Sequence, residues 1–194
     1  MAANSPIISC IMKVVSIVGM AGAGKSEVAQ VFEEAGYARI RFGDVTEEEI
    51  KKRGLIGGEA NERYIRELLR KEYGMAAYAV LNLPKIEKAM QKSNVVIDGL
   101  YSWEEYTFLK DRLGDAFYVV AVCAPPRVRY ARLAERPVRR LTTEEARERD
   151  QSEIENLNKG GPIAMADYMV LNVSTLDALR EKVRDIVREL EKKA

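Results

Sequence analysis

The sequence has no histidine and only two cysteines, Cys10 and Cys123, among 194 residues. The first absence removes Ser-His-Asp hydrolysis, Cys-His proteolysis and every histidine-ligated metal site. The second leaves too few thiols for a zinc cluster or a disulfide framework and suits a reducing, cytoplasmic compartment. An excess of charge is missing too: 31 basic and 30 acidic side chains leave a net charge of +1, so no global field draws in nucleic acid or a membrane surface. Any bound anion must be held locally. Internal repeats and low-complexity tracts are absent, and beyond the N-terminal region nothing approaches the roughly 20 uninterrupted apolar residues of a membrane span. What is present is a 47% hydrophobic fraction, sufficient for the core of one medium-sized domain.

Residues 6–24 are mostly apolar and end in small residues, a pattern shared with export signals. No basic residue precedes the run, Lys13 interrupts it, and cleavage near Ala21 or Ala23 would destroy the phosphate-binding sequence described below. Met12 opens the stretch MKVVSIVG, so residues 1–11 are expected to be an extension ahead of the first strand.

The short β-branched run Lys13–Val18 reads as a buried parallel strand, and Tyr37–Phe42, Val95–Ile97, Phe117–Cys123 and Tyr168–Leu171 are further strand candidates. Helical spacing of apolar residues predicts helices over Lys25–Ala35, Glu62–Tyr73, Met75–Met90 with a break at Pro84, Trp103–Leu113, Arg127–Glu135 and Thr143–Leu157. A final helix carries Leu176, Leu179, Val183, Ile186, Val187 and Leu190 on one face. Strands alternating with helices imply an α/β chain with a parallel sheet covered on both faces, because each parallel pair needs a crossover. Turn signals at Gly57-Gly58, Pro125-Pro126 and Gly160-Gly161-Pro162 are too short to be interdomain linkers. One domain over 1–194 is expected, with helical excursions at about 44–92 and 127–160.

Residues 19–26 read GMAGAGKS, the pattern GxxxxGK[ST]. Successive backbone N–H groups of such a loop wrap phosphates, which requires small residues at Gly19, Ala21, Gly22, Ala23 and Gly24. The following helix, opening with Lys25, Ser26 and Glu27, adds its positive N-terminal end. Lys25 is expected to reach the β- and γ-phosphates of ATP, and the Ser26 hydroxyl to complete a Mg²⁺ shell. The strand NVVIDG, residues 94–99, ends in Asp98, where a carboxylate at the carboxyl end of a strand steadies Mg²⁺ through water. A GTPase would need an Asn-Lys-x-Asp guanine reader, and Asn158-Lys159-Gly160-Gly161 lacks the aspartate. An AAA-type or transporter-type ATPase would need an added helical domain or signature loop, for which the chain has little room. A small-molecule kinase remains.

In motif order, GMAGAGKS, Arg41-Phe42-Gly43-Asp44, IDGLYSWEEY, RYARLAERPVRR and ADYMVLN, the chain resembles the P-loop nucleoside monophosphate kinase family, particularly its dephospho-CoA kinase-like and adenylate kinase-like branches with their archaeal relatives. The resemblance runs from Lys13 to the last helix. It implies a three-layer P-loop NTPase fold with a five-stranded parallel sheet, an acceptor-binding insert at 44–92 and a lid at 127–160 that closes over ATP. Adenylate kinases carry an arginine soon after their Asp-Gly, where this chain has Leu100-Tyr101-Ser102-Trp103. Dephospho-CoA kinases favour Asp-Ala-Asp after the second strand, where only Asp44 can stand in.

Phosphoryl transfer rests on positioning and charge neutralisation, and residues 127–149 supply eight arginines. Arg132 and Arg136, spaced i and i+4, are expected to share one helix face and neutralise the moving group. Arg63, with Arg66 and Arg70 on the same helix, is the candidate for the acceptor's phosphate, and Tyr101, with Tyr78 and Trp103, for stacking on an acceptor base. Asp44 is either the base that takes a proton from a sugar hydroxyl or an orienting group beside an anionic nucleophile. The expected activity is Mg-ATP-dependent transfer to a small nucleotide-like acceptor, first of all a nucleoside monophosphate. The alternatives are dephospho-CoA, a nucleic-acid 5′ end reached through its terminal nucleotide only, and an ATP-binding switch with little turnover. No membrane partner is expected, and nothing in the sequence specifies an oligomer.

Overall fold

The computed structural model describes residues 12–193; the expected extension at 1–11 lies outside the described residues. β1 (Val14–Val18) leads through the glycine loop into α1 (Lys25–Glu34), then β2 (Ala38–Arg41), α2 (Asp44–Lys52), α3 (Glu59–Tyr73) and α4 (Ala77–Met90). There follow β3 (Val95–Asp98), α5 (Trp103–Leu113), β4 (Phe117–Cys123), α6 (Pro126–Ala134), α7 (Thr143–Glu155), α8 (Gly160–Ala164), β5 (Tyr168–Leu171) and α9 (Leu176–Lys192). All strand pairs are parallel and the order is β2-β3-β1-β4-β5. The five-stranded α/β P-loop arrangement is therefore present.

The period-2 alternation of a strand divides the core between two faces. Val14, Val18, Val95, Ile97, Phe117, Val119 and Ala121 pack with the helices of the 44–113 region. Val15, Ile17, Val96, Val120 and Val122 pack beneath α1 and α9, against Val28, Phe32, Val183 and Val187. A small third cluster, Ala21, Leu133 and Ala146, ties the phosphate loop to α6 and α7.

Three local expectations are corrected. Pro84 lies inside a continuous α4, held by the burial of Tyr78, Ala79, Asn82 and Ile86 around it; tertiary packing overrides the missing donor. Glu47, Glu48 and Glu49 read in the sequence as the acidic first turn of a helix; that helix is present but begins earlier, at Asp44, and runs to Lys52. The helix expected over Arg127–Glu135 stops at Ala134 with Glu135 as its C-cap, so Arg136 lies outside it. Among the described residues no helix is long and apolar enough to cross a membrane.

Candidate active site

β3 lies directly beside β1, with Ile17 opposite Asp98, and beside β2, with Arg41 opposite Asp98. This register carries the carboxyl ends of all three strands to one edge, where the loop 19–24, Asp98 and Asp44 meet. The loop has the form of a cradle. Gly22 and Gly24 have φ of 80° and 104°, and a methyl on either would fall 2.7 Å from the Arg129 carbonyl oxygen or 2.4 Å from Asn172 Nδ2. Only glycine lets the chain run this close to α6 and to the end of β5. Ala23 N–H turns back to the Met20 carbonyl, while among the described residues the amides of Gly22, Gly24, Lys25 and Ser26 find no acceptor. Unpaired donors at a helix N-terminus form an anion site.

Lys25 Nζ donates to the carbonyls of Gly19 (2.9 Å) and Met20 (3.1 Å). Its pKa is pushed down to about 7, first by burial and then by the positive charge of Lys159. Ser26 is exposed, and Glu27 occupies the first turn of α1. Ser26, Asp44 and Asp98 line one cleft of about 400 Å³ together with Glu33, Arg39 and Arg41. Arg39 Nη2 donates to Asp98 Oδ2 at 2.5 Å and Nη1 to Glu33 Oε2 at 3.1 Å, so one Asp98 oxygen is anchored and the other is left for a cation. Asp44 Oδ1 lies 3.3 Å from Arg41 Nη1. A hydroxyl and a carboxylate oxygen beside a cradle of free amides are the donor set that Mg²⁺ and a triphosphate require, so the residues fit Mg-ATP.

The remaining candidates disperse. Arg132 Nη2 donates to the Asn172 carbonyl (3.2 Å) and Asn172 Oδ1 (3.3 Å), while Asn172 Nδ2 donates to the Ala23 carbonyl (2.8 Å). Arg132 thus braces the back of the phosphate loop. It does not share a helix face with Arg136, because α6 ends between them; Arg136 is exposed and has Arg149 and Arg139 as charged neighbours. Arg63 is exposed on α3. On the same helix Arg70 turns inward, its guanidinium 5.7 Å from the Tyr78 ring centroid and its Nε buried without a partner. Tyr101 reaches the site: its hydroxyl lies against Gly43 and Gly99, neighbours of Asp44 and Asp98. Its ring is committed edge-on to Tyr78 at 5.5 Å and lies 5.8 Å from Lys159 Nζ. Tyr78 is buried with its hydroxyl bonded to Thr46, and Trp103 stacks on Tyr106 at 5.2 Å. The three aromatic rings belong to packing, as helical spacing of aromatics usually implies.

Sequence patterns assign no role to Arg39, Glu153 or Lys159, and read Arg70 and Arg129 only as members of arginine groups; all five face this region. Lys159 sits in the Asn-Lys-Gly-Gly turn rejected as a guanine reader. Asn158 there has φ 49°, and the turn carries Lys159 into the interior, 2% exposed, with Nζ 2.7 Å from Glu153 Oε2. Glu153 Oε1 accepts from Arg149 Nε at 3.1 Å. Burial works against the Glu153 charge, but Lys159, Arg149 and Lys25 outweigh it and hold the carboxyl down at about 2.

Glu105, in the first turn of α5, is a further buried carboxyl. Ser102 caps α5 by accepting from Glu105 N–H, and Glu105 Oε2 accepts from Tyr101 N–H at 2.7 Å, the reciprocal logic of a capping box displaced by one residue. Burial outweighs these bonds and the charge of Arg70, and pushes the carboxyl up to about 8. A proton held more tightly in the folded than in the unfolded chain stabilises the fold fully below the ordinary carboxyl pKa, and that contribution is lost as pH rises through about 8. Between pH 5 and pH 9 the wild type is expected to lose roughly 2–4 kcal/mol more than Glu105→Gln, measured by denaturant unfolding.

A family profile described as an AAA domain matches residues 15–158. The AAA label attaches here to a phosphate-loop core: the added helical domain that the sequence argument required of an AAA-type ATPase has no counterpart among the described residues, where β5 is followed by α9 alone. The UPF0200 protein of Thermococcus gammatolerans is 36% identical over 181 residues, covering 91% of this chain and 95% of its own. That of Halobacterium salinarum is 36% identical over 177 residues, covering 91% and 93%, and that of Sulfurisphaera tokodaii 34% over 184 residues, covering 93% and 98%. Among solved structures, the Thermus thermophilus protein TT1252 superposes with a TM-score of 0.66 at 17% identity, covering 92% of this chain and 98% of that one. Shikimate kinase from Bacteroides thetaiotaomicron gives 0.59 at 17%, covering 91% and 99%, and dephospho-CoA kinase from Campylobacter jejuni 0.59 at 14%, covering 92% and 97%. At these identities the superpositions establish the fold, and the sequence relatives establish descent: the chain belongs to the UPF0200 family, built on a P-loop kinase-like domain.

Proposed function

We propose that this protein is a Mg-ATP-dependent phosphotransferase of the cytosol whose acceptor is a small nucleotide-like molecule. The observation that carries the proposal is the meeting of the unpaired amide cradle, Lys25, Ser26, Asp98 and Asp44 at one sheet edge. Ser26 and Asp98 would hold the Mg²⁺, which when bound neutralises phosphate charge. The cradle amides and Lys25 orient the triphosphate, and lid cations from 127–160 oppose the charge that develops on the transferred group. A nucleoside monophosphate is the first acceptor to try. A hydroxyl acceptor such as dephospho-CoA is the second, favoured by the position of Asp44 in the cleft with Ser26 and Asp98.

The test is transfer of label from γ-labelled ATP to nucleoside monophosphates, dephospho-CoA and 5′-phosphorylated oligonucleotides. Labelled product with a nucleoside monophosphate or dephospho-CoA supports the proposal and names the substrate; label on the oligonucleotide alone overturns the small acceptor, and slow phosphate release with every acceptor supports a switch instead. Asp44→Asn separates the chemistries. With a hydroxyl acceptor it is expected to lower kcat by about 10²–10⁴-fold, the usual worth of a general base. With a phosphate acceptor the nucleophile is already anionic, and the loss is expected to stay within about tenfold.

A further inference from the structure

We propose that Lys159 and Glu153 are positioning residues that hold Arg149 over the phosphate loop as the cation for the terminal phosphate. The inference rests on the phosphotransferase reading and adds a relay to it. Glu153 Oε2 accepts from Lys159 Nζ at 2.7 Å and Oε1 from Arg149 Nε at 3.1 Å, so both carboxylate oxygens are engaged and its orientation is fixed. Exposure rises along the relay, from 2% at Lys159 through 11% at Glu153 to 51% at Arg149. The buried end is itself locked: Lys159 N–H donates to the Glu153 carbonyl, and Trp103 N–H donates to the Leu157 carbonyl, tying the turn to α5.

The open end is a guanidinium bonded through its inner nitrogen. Among the described residues its two outer nitrogens have no acceptor, and these form the fork that grips a phosphate. The helix that carries Arg149 lies against the phosphate loop: Ala146 packs with Ala21, and Asp150 is joined through Arg129 to the Ala21 carbonyl; Arg149 is also a charged neighbour of Lys25 and Arg136. Two cations, Arg149 and Lys159, are bonded to the one carboxylate of Glu153, leaving a positive excess that a phosphate would complement. An ordinary i, i+4 pair such as Arg149 with Glu153 on a solvated helix is worth little. Here a buried lysine continues the pair into the core, where desolvating a charge is costly and an apolar pair would serve stability as well. What the ion pair adds is geometry.

The test is calorimetric titration of the full chain, in the presence of Mg²⁺, with ADP and with β,γ-imido-ATP. The ratio of the two affinities isolates contacts to the terminal phosphate. Glu153→Gln is expected to shrink that ratio about tenfold, the worth of one charge-assisted contact, with ADP affinity within about twofold. Arg149→Lys should do the same, since lysine keeps the charge but has no inner nitrogen to be held. On an Arg149→Ala background Glu153→Gln should add nothing. Because Glu153→Gln strands a buried lysine, the double variant Glu153→Gln/Lys159→Met, with folding checked by circular dichroism, is expected to shrink the ratio to the same extent. An unchanged ratio in the folded double variant, or effects of Glu153→Gln and Arg149→Ala that simply multiply, would overturn the relay while leaving the phosphotransferase reading in place. A wild type that binds neither nucleotide would overturn both.

Discussion

Lys25→Met is expected to lower kcat/KM by about 10²–10³-fold, the cost of deleting one preorganised charge at a transfer site, without loss of folding stability. The two halves of this expectation share one cause. Among the described residues Lys25 Nζ has only the Gly19 and Met20 carbonyls as acceptors, and burial together with Lys159 pushes its pKa down to about 7. The folded protein therefore holds this cation less readily than the unfolded chain does. That cost is fully present below pH 7, fades as pH rises, and is gone above the ordinary lysine pKa of 10.5. Lys25→Met should accordingly be more stable than the wild type by roughly 1–3 kcal/mol at pH 6 and indistinguishable from it near pH 11, as read by denaturant unfolding. Turnover measured on the same preparations supplies the other half. A variant that loses activity through unfolding would show the opposite stability change, and a variant that keeps its activity would remove Lys25 from the site.

The parts of this architecture that are legible in the sequence are those encoded locally. Phe117–Cys123 has the predicted bounds because a buried parallel strand is a short run rich in β-branched residues that ends where turn residues begin; the edge strand Tyr168–Leu171 also has the predicted bounds, though only Val170 in it is buried. GMAGAGKS is legible because a phosphate cradle needs its small residues and its lysine within eight positions. What escaped the pattern is contact between distant segments. The anchoring of Asp98 by Arg39 spans 59 residues and the seating of the phosphate loop by Asn172 spans 149, and no periodicity reports either. The pairing of Arg132 with Arg136 failed for a different reason: the spacing was helical, but the helix ended before it could be used. Lys159 was visible as part of a turn and was judged against a guanine-reading motif, whereas its role comes from the left-handed Asn158 that turns it inward. Arg63 and Arg70 lie on one amphipathic helix, and only the packing of Ile65 and Leu69 decides which arginine turns toward the core.

The largest stability effect is expected at Asp150. Arg129 Nη1 and Nη2 donate to the two Asp150 oxygens at 2.8 and 2.6 Å, Nη1 also donates to the Ala21 carbonyl at 3.1 Å, and Nε to the Ala124 carbonyl at 3.0 Å. Tyr130 adds its hydroxyl to Asp150 Oδ2 at 2.9 Å. The pair is 5% and 11% exposed, so Asp150→Ala strands a guanidinium in the interior and should cost about 3–5 kcal/mol. For a chain of this size that corresponds to a fall in Tm of roughly 6–20 °C. Replacing both partners, Arg129→Met with Asp150→Leu, removes the stranded charge and should recover most of the lost stability, since apolar substitutes for buried ion pairs are often neutral. Nucleotide affinity should not recover with it. Arg129 holds the Ala21 carbonyl, and its backbone lies against Gly22, so the pair fixes the shape of the cradle as well as the position of α6 on α7. A double variant that regains its melting temperature and still binds Mg-ATP about tenfold or more weakly would separate the two roles. Full recovery of binding along with stability would reduce the ion pair to a structural element.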